Sequence, residues 1–225
     1  NFDITLRKHF RGYPEIISFS SKNFYEGTLQ AVKVRAKPIS DVIEFHKLEH
    51  DGKMETSNIN TIECKFIITE IEKLLELDEP PSVGVLTPMK DQQKFILSEI
   101  EKSQHYHAMQ KLNIKIMTFD SCQGEERDVI FYSFVDSPVK SISYSVLGNK
   151  FDLSIQDPEN NQRIQRLNVG MSRAKEKIVF VLSMDIEEYS GNTQRILNHY
   201  MQELELGKKA PDISETESPM EQKLL

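Results

Sequence analysis

The stretch TFDSCQGEERD at 118–128 puts eight polar or charged residues into eleven positions, with Phe119 its only strongly apolar side chain and Gly124 at the pivot. Apolar runs flank it at 114–117 (IKIM) and 129–135 (VIFYSFV). The second run is β-branched and aromatic, and short enough for a fully buried strand. Strand, polar turn and strand would set these side chains at one edge of an α/β sheet, where ligands bind in such folds. Taken alone, the stretch also fits an ordinary solvated connection. A second group is cationic. Arg163, Arg166 and Arg173 follow Asp157-Pro158-Glu159, which reads as an N-cap, an N1 proline and a first-turn acid. Arginines held on a helix, with their forks directed into a cleft, suit an anionic phosphoryl group. A salt bridge on a solvated face is the alternative for Arg173.

These groups need a frame. Strands are expected at 83–86, 114–118, 129–135 and 178–182, with helices between most of them. That pattern predicts a mostly parallel α/β sheet with helices on both faces. Pro14 opens a helix whose apolar face is Ile16, Ile17, Phe19 and Phe24. Residues 42–46 could form a strand, and Ile59, Ile62, Phe66, Ile67, Ile71, Leu74 and Leu75 recur at helical spacing before Glu79-Pro80-Pro81. Thr87-Pro88 reads as an N-cap and N1 proline, with Phe95, Ile96, Leu97 and Ile100 as the buried face. A strand running into a helix N-terminus presents free N–H groups to a phosphate oxygen. Residues 136–156 read as a surface excursion, with Ile164, Leu167 and Met171 the packed stripe of the next helix. A last amphipathic helix at 193–207 is closed by Gly207. The domain is therefore drawn at 1–207, with a linker at 208–217 and the start of a further helix at 218–225.

Composition bounds the reading. A chain of 225 residues with 38% hydrophobic content supports one large domain with a proper core, and no run of 18 apolar residues is present. No apolar leader opens it, and its two cysteines form no C-x-x-C, which fits a reducing cytosol and a cytoplasmic protein. His105 and His107 lack a carboxylate or cysteine partner, so no metal site is expected there. The net charge of −7 argues mildly against nucleic-acid binding by bulk electrostatics. A local groove on an acidic body remains compatible with such binding.

The motifs now carry a resemblance. Residues 118–128 match T-x-D-S-x-Q-G-x-E-x-D, and RLNVGMSRAK at 166–175 matches R-L-N-V-A-x-[ST]-R-A-[KR]. Together they resemble the fifth and sixth motifs of superfamily 1 helicases, in the branch containing the nonsense-mediated-decay helicase and its DNA-helicase relatives. Cys122 stands where Phe is common and Gly170 where Ala is common. HFRGYPEI leading to FYEGTL at 24–29 is similar to the family segment Y-R-x-H-P-x-[IL]…F-Y-x-G-x-L, with Phe10 for the usual Tyr and Tyr13 for the usual His. The fold implied is the second RecA-like domain, an α/β, three-layer, P-loop-NTPase type.

By the same resemblance Arg11 and Arg173 are the catalytic arginine fingers, with a surface loop arginine the alternative for Arg11. Phe10, Gly124 and Glu126 are implied to face the nucleotide, Glu126 accepting a ribose hydroxyl. Gln123 would couple the nucleotide cleft to the strand. Thr87 (fourth motif, or an N-cap and nothing more) and Thr118 would touch the nucleic-acid backbone. No G-x-x-x-x-G-K-[ST] and no acidic strand ending in Asp-Glu is present. The resemblance thus implies that ATP and Mg²⁺ are held mainly by an upstream RecA-like domain, that the chain is part of a longer helicase, and that alone it is inactive. The strand is expected to be single-stranded, DNA preferred over RNA because 218–225 faintly resembles the first helix of restriction-endonuclease-like domains. The competing reading is a non-catalytic RecA-like scaffold attached to a nuclease.

Overall fold

The computed structural model describes residues 8–9, 12–55, 57–152 and 157–209. Phe10, Arg11 and the 210–225 tail lie outside the described residues. In chain order, β1 (Lys8–His9) precedes α1 (Pro14–Phe24) and pairs in parallel with β2 (Gln30–Ala31). β3 (Ile43–Lys47), α2 (Thr61–Leu74), β4 (Val83–Thr87), α3 (Lys90–Lys102), α4 (Tyr106–Met109) and β5 (Lys115–Thr118) follow. The chain continues through β6 (Arg127–Ser133), α5 (Tyr144–Leu147), α6 (Pro158–Gly170), β7 (Ala174–Leu182) and α7 (Gly191–Lys209).

β3, β7, β6, β4 and β5 form one five-stranded sheet in that order, every pairing parallel. Strand side chains alternate between faces, so two cores arise from one sheet. Ile130, Tyr132, Ile178, Phe180 and Leu182 point to one face, where they meet Ile16, Ile17 and Phe19 of α1, Leu167 of α6 and Ile196, Leu197 and Tyr200 of α7. Val129, Phe131, Val179 and Val181 point to the other, against Cys64, Ile67 and Ile71 of α2 and Ile96 and Ile100 of α3. The result is the expected three-layer RecA-like α/β arrangement. Among the described residues, no helix is long and apolar enough to cross a membrane.

Four local expectations need correction. α3 begins at Lys90 with Met89 as its N-cap, so Thr87 ends β4 instead of capping a helix. Leu97 is 47% exposed, because Ile96 and Ile100 already fill the sheet-facing side and Leu97 lies about 100° further round the helix. The 136–156 stretch is not simply a surface excursion. Asp136, Ser137, Ser143 and Leu147 are buried, and the Asp136 carboxylate accepts from the Ile142 and Ser143 N–H groups at 2.6 and 2.8 Å. α7 continues through Gly207 to Lys209, since the missing side chain at Gly207 lets the helix lie directly on Ile39.

Candidate functional site

The 118–128 stretch does not sit at one edge of the sheet. β5 ends at Thr118 and β6 begins at Arg127, yet both run parallel to β4, which lies between them. Residues 119–126 must therefore return across the sheet from its C-terminal edge to its N-terminal edge, passing over β4. Gly84 is level with both Lys115 and Ile130, so the two ends of the crossing lie ~20 Å apart at ~3.3 Å per residue. The sequence showed two strands and a polar link. It did not show that a third strand would insert between them.

The crossing is anchored by its apolar residues. Phe119 and Cys122 are buried in the same core as Leu86 and Met117. The Phe119 ring lies directly on the Gly170 backbone, where an added Cβ would be 2.5 Å from the ring carbons. At the start, the Thr118 N–H donates to Ser121 Oγ at 3.0 Å and the Ser121 N–H to the Thr118 carbonyl at 3.0 Å. Towards the far end, Gly124 turns at φ +83°, a conformation that side chains rarely adopt.

At the N-terminal edge, Arg173 meets the end of this crossing. Its Nη1 lies 3.4 Å from the Glu125 carbonyl and its Nη2 donates to Ser172 Oγ at 2.9 Å. Arg173 is not on the helix, as the sequence reading had it. α6 stops at Gly170, and Arg173 occupies the short turn before β7, where its carbonyl accepts the Arg127 N–H at 3.2 Å. Burial pushes the Cys122 thiol up to about 11, against the opposing charge of Arg173. Glu126 is half-buried alongside. The structure thus brings the Arg173 guanidinium to the backbone at Glu125, between Gly124 and Glu126 in sequence, and leaves Gln123 exposed on the crossing.

Two residues given no role by the sequence reading hold this edge. Arg127, only 8% exposed, donates to the carbonyls of Asn113 and Glu126 at 2.9 and 2.6 Å and to the Glu125 carboxylate at 3.1 Å. Asp128 accepts from Ser82 N and Oγ at 2.8 and 2.6 Å and pairs with Lys175 at 2.8 Å. Burial pulls the Asp128 carboxyl upward, but the donors from Lys175 and Ser82 outweigh it and hold it below the usual carboxylate range. Its place at the end of the T-x-D-S-x-Q-G-x-E-x-D pattern was the available signal. Arg127 fills an unspecified position of that pattern and left none.

At the C-terminal edge Thr87 and Thr118 are register partners, 0% and 3% exposed. Thr87 Oγ1 accepts the Met89 N–H at 3.3 Å, and Thr118 Oγ1 shares a bond with Ser121 Oγ at 3.1 Å. The groups reaching solvent beside them are Lys90, Asp120 and Ser121, with Asp120 paired to Arg166 at 2.6 Å. Behind lies a sealed polar network. Glu63 accepts from Ser133 Oγ at 2.5 Å and from the Val135 N–H at 3.2 Å, while Gln92 Nε2 donates to Ser133 Oγ at 3.1 Å and Asn60 Nδ2 to Ser183 Oγ at 2.8 Å. Full burial pushes the Glu63 carboxyl up to about 8.

Residues 1–185 match the protein family described as "AAA domain". Among curated proteins, regulator of nonsense transcripts 1 of Dictyostelium discoideum is 26% identical over 209 residues, covering 87% of this chain and 15% of that protein. Helicase sen1 of Schizosaccharomyces pombe is 28% identical over 197 residues, 80% of this chain and 11% of that protein. ATP-dependent helicase NAM7 of Saccharomyces cerevisiae is 28% identical over 195 residues, 79% of this chain and 18% of that protein. The chain thus spans less than a fifth of the length of these relatives, 15%, 11% and 18% in turn.

Proposed function

Because the chain belongs to this AAA-domain family and is a C-terminal RecA-like domain of superfamily 1 helicase type, we propose that it is the second half of an ATP-driven motor on single-stranded nucleic acid. The observation that carries the reading is the meeting of Arg173 with the Glu125–Glu126 end of the crossing segment, ~20 Å from the Thr87–Thr118 pair at its other end. One continuous segment therefore joins a cationic edge to a hydroxyl-bearing edge. A motor that converts nucleotide state into a step along a strand needs such a link.

The residues at the N-terminal edge fit the periphery of a nucleotide, not its cradle. Arg173 offers a guanidinium and Glu126 a half-buried carboxylate, but no phosphate-binding loop accompanies them. ATP with Mg²⁺, held mainly by an upstream RecA-like domain, would supply the phosphoanhydride whose cleavage drives the cycle. Arg173 offsets charge growing on the γ-phosphoryl oxygens, and its position in a turn braced by β6 and β7 limits its reorientation as it does so. Arg11 is the second finger, one residue before Gly12. Glu126 accepts a hydrogen bond from the ribose hydroxyl, and Phe10 and Gly124 line the base and sugar side. Gln123 passes the closing of the cleft along the crossing to Thr118 and Thr87, beside the strand backbone. DNA is preferred over RNA on the strength of the 218–225 tail, and a cytosolic location rests on the two buried free thiols, Cys64 and Cys122.

The test is strand-stimulated ATP hydrolysis by the full-length polypeptide, wild type against Arg173→Ala, with single-stranded DNA and RNA compared as activators. Turnover is expected to fall by ~10³–10⁵ with nucleotide binding retained. Equal turnover in both proteins, or none in either, would replace the motor with the scaffold reading.

A further inference from the structure

The N-terminal end of α1 is fastened to β7 by a contact that the reading above does not use. Glu176 lies where the register of β7 with β6 shifts, two residues before Ile178, whose side chain is on the face that α1 covers. Tyr13, the N-cap of α1 and 7% exposed, donates its hydroxyl to Glu176 Oε2 at 2.7 Å. The next residue upstream, Gly12, packs so tightly on β7 that an added Cβ would lie 3.0 Å from the Ala174 carbonyl. From the other side the extended 32–37 segment closes over the pair. Lys33 and Lys37 stand 4.5 and 5.3 Å from the Tyr13 ring centroid, and both ammonium groups pair with Glu176. Arg35, between them in sequence, pairs with Glu15 at 2.8 Å.

The anchor is well matched to its partners. Burial raises the Glu176 carboxyl, but the hydrogen bonds from Lys33 and Tyr13 more than reverse this and hold it below its ordinary range, so it stays an acceptor. The ring of Tyr13 receives two cations on its face while its hydroxyl is held at the edge, which fixes both the tilt and the depth of residue 13. Residue 13 is two positions beyond Arg11, and Glu176 three beyond Arg173. The contact therefore ties the start of α1 to the strand that follows the Arg173 turn.

We infer that the Tyr13–Glu176 pair, clamped by Lys33 and Lys37, is a positioning element that fixes the start of β7, and with it the turn bearing Arg173, against α1. The inference rests on the reading of Arg173 as a finger. It also gives a reason for tyrosine at the position where the family usually has histidine. A phenol reaches a strand carboxylate that the shorter imidazole ring does not extend to, and it presents a broader face to the lysines.

The experiment is steady-state ATP hydrolysis by the full-length polypeptide with a single-stranded activator, comparing Tyr13→Phe, Glu176→Ala, the double variant and Arg173→Ala. Tyr13→Phe removes one hydroxyl and keeps the ring beneath the lysines. It is expected to lower kcat about tenfold while KM for ATP stays within about twofold and thermal unfolding is unchanged. Glu176→Ala should match it, and the double variant should be no worse than either single one. An unchanged kcat in Tyr13→Phe, or a loss accompanied by a lower Tm and additive effects, overturns the positioning role. Failure of Arg173→Ala to reduce turnover would instead overturn the finger reading itself, so the two failures are distinguishable.

Discussion

The two edges of the sheet handle polar groups in opposite ways. The N-terminal edge keeps most of its charges half-exposed and paired: Asp128 with Lys175, Glu125 with Lys115 and with the buried Arg127, Glu176 with Lys33 and Lys37, and Arg173 against the Glu125 carbonyl. Behind the C-terminal edge, where Lys90, Asp120 and Ser121 reach solvent, lies an enclosed set of polar groups. Glu63, Ser133, Ser183, Asn60 and Gln92 satisfy one another in the interior, and Asp136, Ser143 and Thr193 do the same one layer out. A charge that must meet a ligand is cheap to hold where water solvates it between encounters, whereas a buried one costs several kcal/mol unless neutral or fully paired. This contrast agrees with the proposal that the N-terminal edge meets the nucleotide. The enclosed network braces the strand ends, including Val135, whose φ of +72° is costly for a β-branched residue and whose N–H is held by Glu63.

The sharpest way to break this contrast is Arg173→Ala, with its expected loss of ~10³–10⁵ in turnover. Nothing in the enclosed network of Glu63, Ser133, Ser183, Asn60 and Gln92 should approach that effect on kcat, because those side chains face one another and not a ligand. The next largest effect is on stability, and it concerns the segment joining the edges. Gly170→Ala would drive a methyl to within 2.5 Å of the Phe119 ring and 3.0 Å of Leu86. Overpacking of this kind costs ~1–3 kcal/mol, read as a lower urea midpoint. Adding Phe119→Val should recover most of it by removing the ring. If the double variant is no more stable than Gly170→Ala alone, the crossing is not seated on Gly170.

That pairing shows what the sequence could and could not reveal. The substitutions were visible: Gly170 where alanine is common, Cys122 where phenylalanine is common. Read singly they had no consequence. In three dimensions Phe119 supplies the bulk that lies on Gly170, a relation between residues 51 positions apart that no local pattern encodes. The strands were legible because buried parallel strands are short β-branched and aromatic runs, as at 129–133 and 178–182. The grouping of Glu126 with Arg173 was legible through the resemblance of their motifs. Strand order was not, so a segment crossing the sheet was read as a turn at one edge. Thr87-Pro88 carried a true helix-start signature, but continued pairing of Thr87 with Thr118 kept it in the strand and moved the cap to Met89. The Glu63 network escaped notice because a lone glutamate in an amphipathic helix looks solvated until its face is known.

A smaller effect distinguishes the edges by the sign of their pH dependence. Glu63 has its carboxyl raised by burial from 4.5 to about 8, so the folded state holds a proton that the unfolded state releases. Its contribution is complete below about pH 4.5 and is lost as pH rises towards 8, at up to ~1.4 kcal/mol per pH unit. His199, lowered by burial from 6.5 to about 4, acts oppositely but only below its unfolded value. Between pH 6.5 and 8 the decline should therefore belong mainly to Glu63. Glu63→Gln, which can accept the same bonds from Ser133 and Val135 without titrating, should flatten the urea-midpoint profile over that interval. A decline as steep as in the wild type would mean that the carboxyl is ionised in the folded protein.

Asp128, at the opposite edge, should show the smallest effect and the reverse slope. Its carboxyl sits below the ordinary 3.8 because the Lys175 and Ser82 donors outweigh its partial burial. A depressed acid contributes stability that is present above the unfolded pKa and lost as pH falls through the folded one. The group is partly exposed, so solvent screening limits the contribution to under about 1 kcal/mol. Asp128→Asn keeps an oxygen for Ser82 but gives up the charge facing Lys175. It should therefore cost a few tenths of a kcal/mol to ~1 kcal/mol at pH 7, and the deficit should shrink as pH falls below 3.8, when urea midpoints are compared with wild type. A deficit that does not shrink as the acid is titrated would assign the cost to the Ser82 hydrogen bonds and not to the ion pair, and the N-terminal edge would then resemble the enclosed one in being held by geometry and not by charge.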